Sequence, residues 1–238
     1  MNVKLLKSPE DDAVIKRVIN NMDNAQLLVP EVCTKMVDRV CEESIYYGFN
    51  SVVATPNTVE RTAALLKGSP VHTLFGFGDA GRGSIQGKVE TLRHVLPLGV
   101  QEVDMIMNMP RFFDGQFDLV QNDISAIVKV CADYRVGVKV IIESGLLTDE
   151  QRKTAVELAI AGGAQYIKTA SGGAGSGTCN MRLILFLHEL IAGRAKLKAS
   201  SGIQSLEDAW AFMEAGADRT AGRDNMISQL KALGYKPA

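Results

Sequence analysis

Gly137-Val138-Lys139-Val140-Ile141-Ile142, then the helical stretch 149–161, then Gln165-Tyr166-Ile167-Lys168, is the segment on which the fold turns. Its first and last pieces are short apolar, β-branched runs of strand length. Between them Thr148-Asp149-Glu150 places a capping hydroxyl and early acids at a helix entrance, and Gly162-Gly163 supplies a stop. The segment therefore reads as one strand–helix unit and the strand that opens the next.

The same rhythm runs through almost the whole chain. Further strands are predicted at 26–29, 51–54, 71–77, 102–107, 196–200 and, weakly, 219–221. Helical patterns fall at 33–47, 59–67, 87–96, 118–134, 179–191, 205–215 and 225–233, with an extra one at 11–22 before the first strand. Eight such units in 238 residues match the size and rhythm of an α/β (β/α)8 TIM barrel with an added N-terminal helix. A doubly wound open sheet shares the alternation and stands as the rival. With no Pro/Ser-rich linker or composition shift, one domain over 1–238 is expected.

A hydrophobic content of 46% is enough for one well-filled core, and the net charge of -1 comes without a basic arm. Nucleic acid and anionic membranes are thereby poor candidates for partners. No apolar stretch reaches spanning length, and Met1–Lys7 runs into Glu10-Asp11-Asp12, a poor signal peptide. Cys33, Cys41, Cys131 and Cys179 are scattered without a C-x-x-C pair and read as reduced thiols of a cytoplasmic protein.

Four charged residues interrupt otherwise apolar strand runs: Asp104, Lys139, Lys168 and Lys198. Alternation places Asp104, Ile106 and Asn108 on one strand face. A buried ammonium loses hydration that an apolar surround cannot replace, and a second cation pushes it further towards the neutral, nucleophilic amine. Taken alone, Lys139 fits a structural ion pair. Asp104, Lys168 and Lys198 together, beside glycine-rich loops, point to imine chemistry on a carbonyl substrate. Those loops, with Gly172, Gly173, Ser201 and Gly202, present backbone N–H groups suited to an anion, and Arg223 could add a bidentate contact or instead pair with an acid. Asp224, if turned inward, would repel a phosphate.

Four ordered motifs carry a resemblance: Glu102-Val103-Asp104-Met105, Lys139 to Thr148, Tyr166-Ile167-Lys168-Thr169, and Lys198-Ala199-Ser200-Ser201-Gly202-Ile203. Together they are similar to segments of the deoxyribose-phosphate aldolases, most strongly over 100–220. The resemblance implies a class I aldolase on a TIM barrel, needing neither metal nor other cofactor, with small-molecule aldehyde and sugar-phosphate substrates and a homodimer or homotetramer as its assembly. It implies Lys168 as the Schiff-base lysine, Lys198 as the cation depressing its pKa, and Asp104 as the acid/base residue. Departures fall on substrate-facing positions: Asn24-Ala25-Gln26 stands for Asp-His-Thr, and Arg223-Asp224 for the paired phosphate-binding serines. A different sugar or sugar acid, and a barrel that binds without turnover, are the alternatives within this class.

From another class, Gly76-Phe77-Gly78-Asp79-Ala80-Gly81 satisfies the dinucleotide pattern G-x-G-x-x-G and would suit an oxidoreductase. It falls at the third unit rather than the first, and Arg82-Gly83-Ser84 delays the helix. His72, His94 and His188 lack metal-ligand spacing. Met105, Met107 and Met109 read as core filler, and Cys179 as a nucleophile without an evident base.

Overall fold

The computed structural model describes residues 9–79, 81–173 and 175–237. Met1–Lys7, together with Ala80 and Ala174 of the two glycine-rich stretches, lies outside the described residues.

Eight parallel strands run β1 (Met22–Asn24), β2 (Ser51–Ala54), β3 (His72–Gly76), β4 (Glu102–Ile106), β5 (Gly137–Ile141), β6 (Tyr166–Lys168), β7 (Lys196–Lys198) and β8 (Thr220–Gly222). Each pairs with its neighbour in chain order, and β1 also pairs with β8. A parallel bridge between Lys198 and Arg219 joins the remaining edges, with the Ala199 N–H donating to the Arg219 carbonyl at 2.8 Å. The sequential order and this closure are those of a TIM barrel and exclude the doubly wound sheet.

The helices are α1 (Pro9–Asn20), α2 (Thr34–Tyr47), α3 (Val59–Leu66), α4 (Ile85–Val95), α5 (Met109–Phe113), α6 (Phe117–Ala132), α7 (Asp149–Ala161), α8 (Met181–Ile191), α9 (Leu206–Glu214) and α10 (Asp224–Ala232). The expected N-terminal helix is α1, which buries Ile15, Val18 and Ile19 and packs against α9 and β1. The cap read before α7 is a full capping box: Gln151 N–H donates to Thr148 Oγ1 at 3.3 Å and Thr148 N–H to Gln151 Oε1 at 2.9 Å. Gly163, at φ +90°, takes the left-handed turn that leads into β6.

Strand alternation sorts the residues into two interiors. Val103, Met105, Val138, Val140, Ile167 and Leu197 face the helices in one large apolar core. Each of those fully buried side chains stabilises the barrel by roughly 1.5–3 kcal/mol. The alternate positions, Asp104, Lys139, Tyr166, Lys168 and Lys198, are buried among one another inside the barrel. Met105, Met107 and Met109 belong to the apolar core, as read from sequence.

Two local readings are corrected. The first strand is Met22–Asn24 and not 26–29. The apolar run Leu27-Leu28-Val29 is a connecting loop whose Leu27 packs with Val37, Val40 and Val52, so burial rather than pairing explains its composition. β4 ends at Ile106, and Asn108 is no strand residue: it caps the short α5 by accepting from Arg111 N–H at 3.3 Å and donates to Asp123 at 3.1 Å.

Candidate active site

Strand alternation, together with strand pairing, brings Asp104 of β4, Lys168 of β6 and Lys198 of β7 together. Lys168 and Lys198 are Cα partners across β6 and β7. Both ammonium groups reach the same oxygen of Asp104, Lys168 Nζ at 2.7 Å and Lys198 Nζ at 3.0 Å. All three side chains are buried.

The cluster extends deeper than the sequence reading. Lys198 Nζ also lies 2.5 Å from Asp23 Oδ2 on β1. Asp23 accepts from Ser51 Oγ at 2.7 Å and pairs with Arg219, which in turn meets Glu102 at 3.0 Å. Lys139 pairs with Glu102, lies 3.9 Å from Asp104 Oδ1, and takes no part in lining the cleft. Beneath them the Tyr166 ring faces Lys139 at 5.4 Å and Arg219 at 5.9 Å. Four cations (Lys139, Lys168, Lys198, Arg219) thus share the barrel interior with three carboxylates (Asp23, Glu102, Asp104) among the described residues.

That imbalance depresses the pKa of Lys139, chiefly through burial, and with it that of Lys168, the one of the two that borders the cleft. Burial is the largest influence on Lys168 and brings its pKa from 10.5 down to about 8; the Asp104 carboxylate opposes the fall and the Lys198 ammonium adds to it. Lys198 is equally buried, but Asp104 and Asp23 outweigh desolvation and hold it charged. For Asp104 burial pushes upward, and Lys168, Lys198 and Lys139 together more than reverse this, keeping the carboxyl ionised well below its ordinary range. The geometry therefore contains one amine close to neutrality, one fixed cation, and one carboxylate joining them.

Lys168 opens into a cleft at the carboxyl ends of the strands, where barrel chemistry gathers. Its larger part, about 570 Å³, is bordered by Asp104, Gly172, Gly173 and Arg223, and by the loops after β1, β2 and β3. Its smaller part, about 230 Å³, is lined by Gly172, Ser201, Gly202, Gly222, Arg223 and Asn225. Lys168, Gly172 and Arg223 border both.

The anion-binding candidates are not equivalent. Gly173 N–H donates to Ser171 Oγ at 3.1 Å, and Ser171 N–H to the Glu143 carboxylate at 3.1 Å, so both donors are engaged within the loop. The Ser201 hydroxyl donates to the Gly177 carbonyl at 2.8 Å, tying the loop after β7 to the one after β6. That second loop is pressed on the one after β5: a Cβ on Gly145 would lie 2.4 Å from the Ser176 carbonyl oxygen. Arg223 is exposed at the start of α10, with Nη2 3.5 Å from where a Gly172 Cβ would stand, and has no salt bridge among the described residues. Asp224 turns away from the cleft to Arg39 at 3.6 Å, which removes the repulsion that an inward Asp224 would cause.

The dinucleotide pattern is spent on its own loop. Asp79 accepts from Gly81 N–H and Gly83 N–H, each at 3.0 Å, and pairs with the buried Lys88 at 3.2 Å. These are donors that a pyrophosphate would require, and α4 begins only at Ile85. Cys179 is buried with its thiol pushed up to about 11, chiefly by desolvation, which is unlike an activated nucleophile. No cluster of His, Cys, Asp and Glu suited to a metal occurs among the described residues.

Asp23, Glu102 and Arg219 are the residues that sequence reading missed as members of the cluster. Asp23 sits in Asn20-Asn21-Met22-Asp23-Asn24, a composition that reads as a turn. An acid following a lone apolar residue directly after a helix was the available signal.

No protein-family model matches the chain. It is 36% identical over 206 residues to the deoxyribose-phosphate aldolase of Clostridium perfringens, spanning 86% of this chain and 91% of that protein. The corresponding protein of Halalkalibacterium halodurans is also 36% identical, over 208 residues, with 86% and 92% covered. Among solved structures, the deoxyribose phosphate aldolase of Aeropyrum pernix, described as a unique tetramer, superposes with a TM-score of 0.83 at 26% identity, covering 95% of this chain and 93% of that one. On this sequence identity and this shared barrel, the chain belongs to the deoxyribose-phosphate aldolase family, a family of carbon–carbon lyases.

Proposed function

We propose that this protein is a class I aldolase that reversibly cleaves 2-deoxyribose 5-phosphate to acetaldehyde and glyceraldehyde 3-phosphate. The observation that carries the reading is Lys168: a buried amine with its pKa near 8, bonded to Asp104 and open to the cleft. A neutral amine adds to the sugar aldehyde and loses water to give an iminium. The bond between carbons 2 and 3 then breaks, its electron pair moving to the iminium to form an enamine. The hydroxyl on carbon 3 loses its proton and becomes the aldehyde of the departing glyceraldehyde 3-phosphate. Proton return to carbon 2 and hydrolysis release acetaldehyde and restore the amine.

In this scheme Lys198 is the fixed cation that keeps Lys168 and Asp104 in place and disfavours a second ammonium beside it. Asp104 relays protons at the carbinolamine and enamine steps. The smaller compartment takes the phosphate, with Gly172, Gly202 and the N-terminus of α10 offering backbone donors and Arg223 a charge. The four free cysteines and the absence of any helix long and apolar enough to cross a membrane among the described residues support a cytoplasmic enzyme.

The test is borohydride reduction in the presence of acetaldehyde, read by intact-protein and peptide mass spectrometry. One ethyl group on the peptide carrying Lys168 is expected. A folded protein without that adduct would refute the mechanism.

A further inference from the structure

A non-glycine residue in the left-handed region is strained and persists only where its surroundings fix it. Four such residues occur among the described residues: Arg135, Glu143, Ala192 and Ser201. Arg135 and Ala192 follow helices α6 and α8, where a left-handed turn is an ordinary stop. Glu143 and Ser201 stand instead in the loops after β5 and β7, on either side of the loop that follows Lys168. Ser201 reaches that loop through its hydroxyl. Glu143, at φ +46° and ψ +53°, is an acid only 6% exposed to which the proposed chemistry gives no role.

What fixes Glu143 is the loop after β6. Its carboxylate accepts from Ser171 N–H at 3.1 Å. The next two residues bind the same loop, Ser144 N–H donating to the Thr169 carbonyl at 2.8 Å and Gly145 N–H to the Ser176 carbonyl at 3.2 Å. Behind the turn, Arg152 of α7 donates Nε and Nη2 to the Ser144 carbonyl at 2.9 and 2.8 Å. The N–H groups of Ser171 and Gly173 are thus engaged, while that of Gly172 between them has no acceptor among the described residues. Gly172 borders both compartments and lies beside Arg223. A buried carboxylate at a strained backbone position is a costly way to hold one N–H, and what it secures is the place of Gly172.

We propose that Glu143 is a positioning residue: it fixes the Ser171–Gly172 backbone so that Gly172 N–H and Arg223 meet the substrate phosphate together. This rests on the reading of the smaller compartment as the phosphate site and adds the residue that shapes it.

The experiment compares 2-deoxyribose 5-phosphate with unphosphorylated 2-deoxyribose, as the ratio of their kcat/KM, in the parent and in Glu143→Ala, Glu143→Gly and Glu143→Gln. In Glu143→Ala the ratio should fall about tenfold, through the KM of the phosphorylated sugar rather than its kcat. Glu143→Gln keeps an oxygen acceptor of the same reach and should hold the ratio within about threefold of the parent. Glu143→Gly lacks the acceptor but relieves the backbone, so its Tm should exceed that of Glu143→Ala by about 2–4 °C while its ratio falls equally. A merely structural residue would move both sugars together and leave the ratio alone. An unchanged ratio in the folded Ala and Gly variants, or a Gln variant as impaired as these two, overturns the proposal. A parent without preference for the phosphorylated sugar overturns the phosphate reading and this proposal together. Borohydride trapping of acetaldehyde on Lys168 of the parent reports separately on the imine, and its failure refutes that reading whatever the ratio does.

Discussion

Replacing Asp104 with Asn should lower the pH at which Lys168 becomes available for capture while sharply reducing turnover, and the sign of the first effect is the informative one. Asp104 is the main group holding the Lys168 proton on, through its charge and its 2.7 Å hydrogen bond. Burial and the Lys198 ammonium act the other way and survive the substitution. In the parent protein a pKa of about 8 leaves roughly one amine in ten neutral at pH 7, about 300 times the fraction of a solvated lysine at 10.5. In Asp104→Asn the pKa falls below 8, so the neutral fraction at pH 7 rises. The rate of borohydride trapping with limiting acetaldehyde, followed from pH 6 to 10, reads this directly: the midpoint should move down. Sugar cleavage, which needs the carboxylate to relay protons, should fall about 100- to 10,000-fold. The fold should survive, because removing the Lys168 proton at pH 7 costs little more than 1 kcal/mol in the parent protein and less in the variant. A midpoint that rises or stays fixed in a folded variant would refute the electrostatic account of this site.

Arg223→Ala should raise the KM for a phosphorylated sugar about 10- to 100-fold with kcat nearly kept, the loss expected of charge-assisted hydrogen bonds made equally in ground and transition states; steady-state kinetics would decide it. Asp23 and Asp104 both have pKa values held well below the carboxylate range, and Glu102 is lowered to about 2. The unfolded chain therefore binds more protons than the folded one in acid. Stability should fall as pH drops below about 4, visible as a declining Tm, while it stays level through neutrality. Thr148→Ala removes the capping hydroxyl of α7 and should lower the unfolding free energy by about 1 kcal/mol in urea titrations, with kcat unaffected.

Strand–helix alternation made seven of the strands legible, β8 only weakly, because in the others apolar members face the helices and stand out as short apolar runs. β1 escaped for the opposite reason. Two of its three residues are polar, Asp23 and Asn24, and turned to partners only long-range closure supplies: Ser51, Lys198 and Arg219 for the first, Ser44 for the second. Asp104, Lys168 and Lys198 stood out as charges within apolar runs, and the fold brings them onto one carboxylate oxygen. Their extension through Asp23, Arg219 and Glu102 joins residues as far as 196 positions apart, which no local pattern encodes. The anion loops were visible as glycine-rich composition, yet which N–H groups are already engaged, as in Ser171 and Gly173, depends on side chains folding back on their own loop.

The surplus positive charge inside the barrel has a consequence for the covalent intermediate. The interior can balance its four cations against three carboxylates by releasing one proton from Lys168, and the amine is then ready to react. Condensation with an aldehyde restores the extra charge as an iminium, and the same excess of cations favours every step that removes it. Besides loss of the N–H proton and return of water, those steps are the productive ones on carbon, breaking a C–C bond or releasing an α-proton. Electrostatic strain held in the folded barrel would thus be transferred to the bond that the reaction has to cleave.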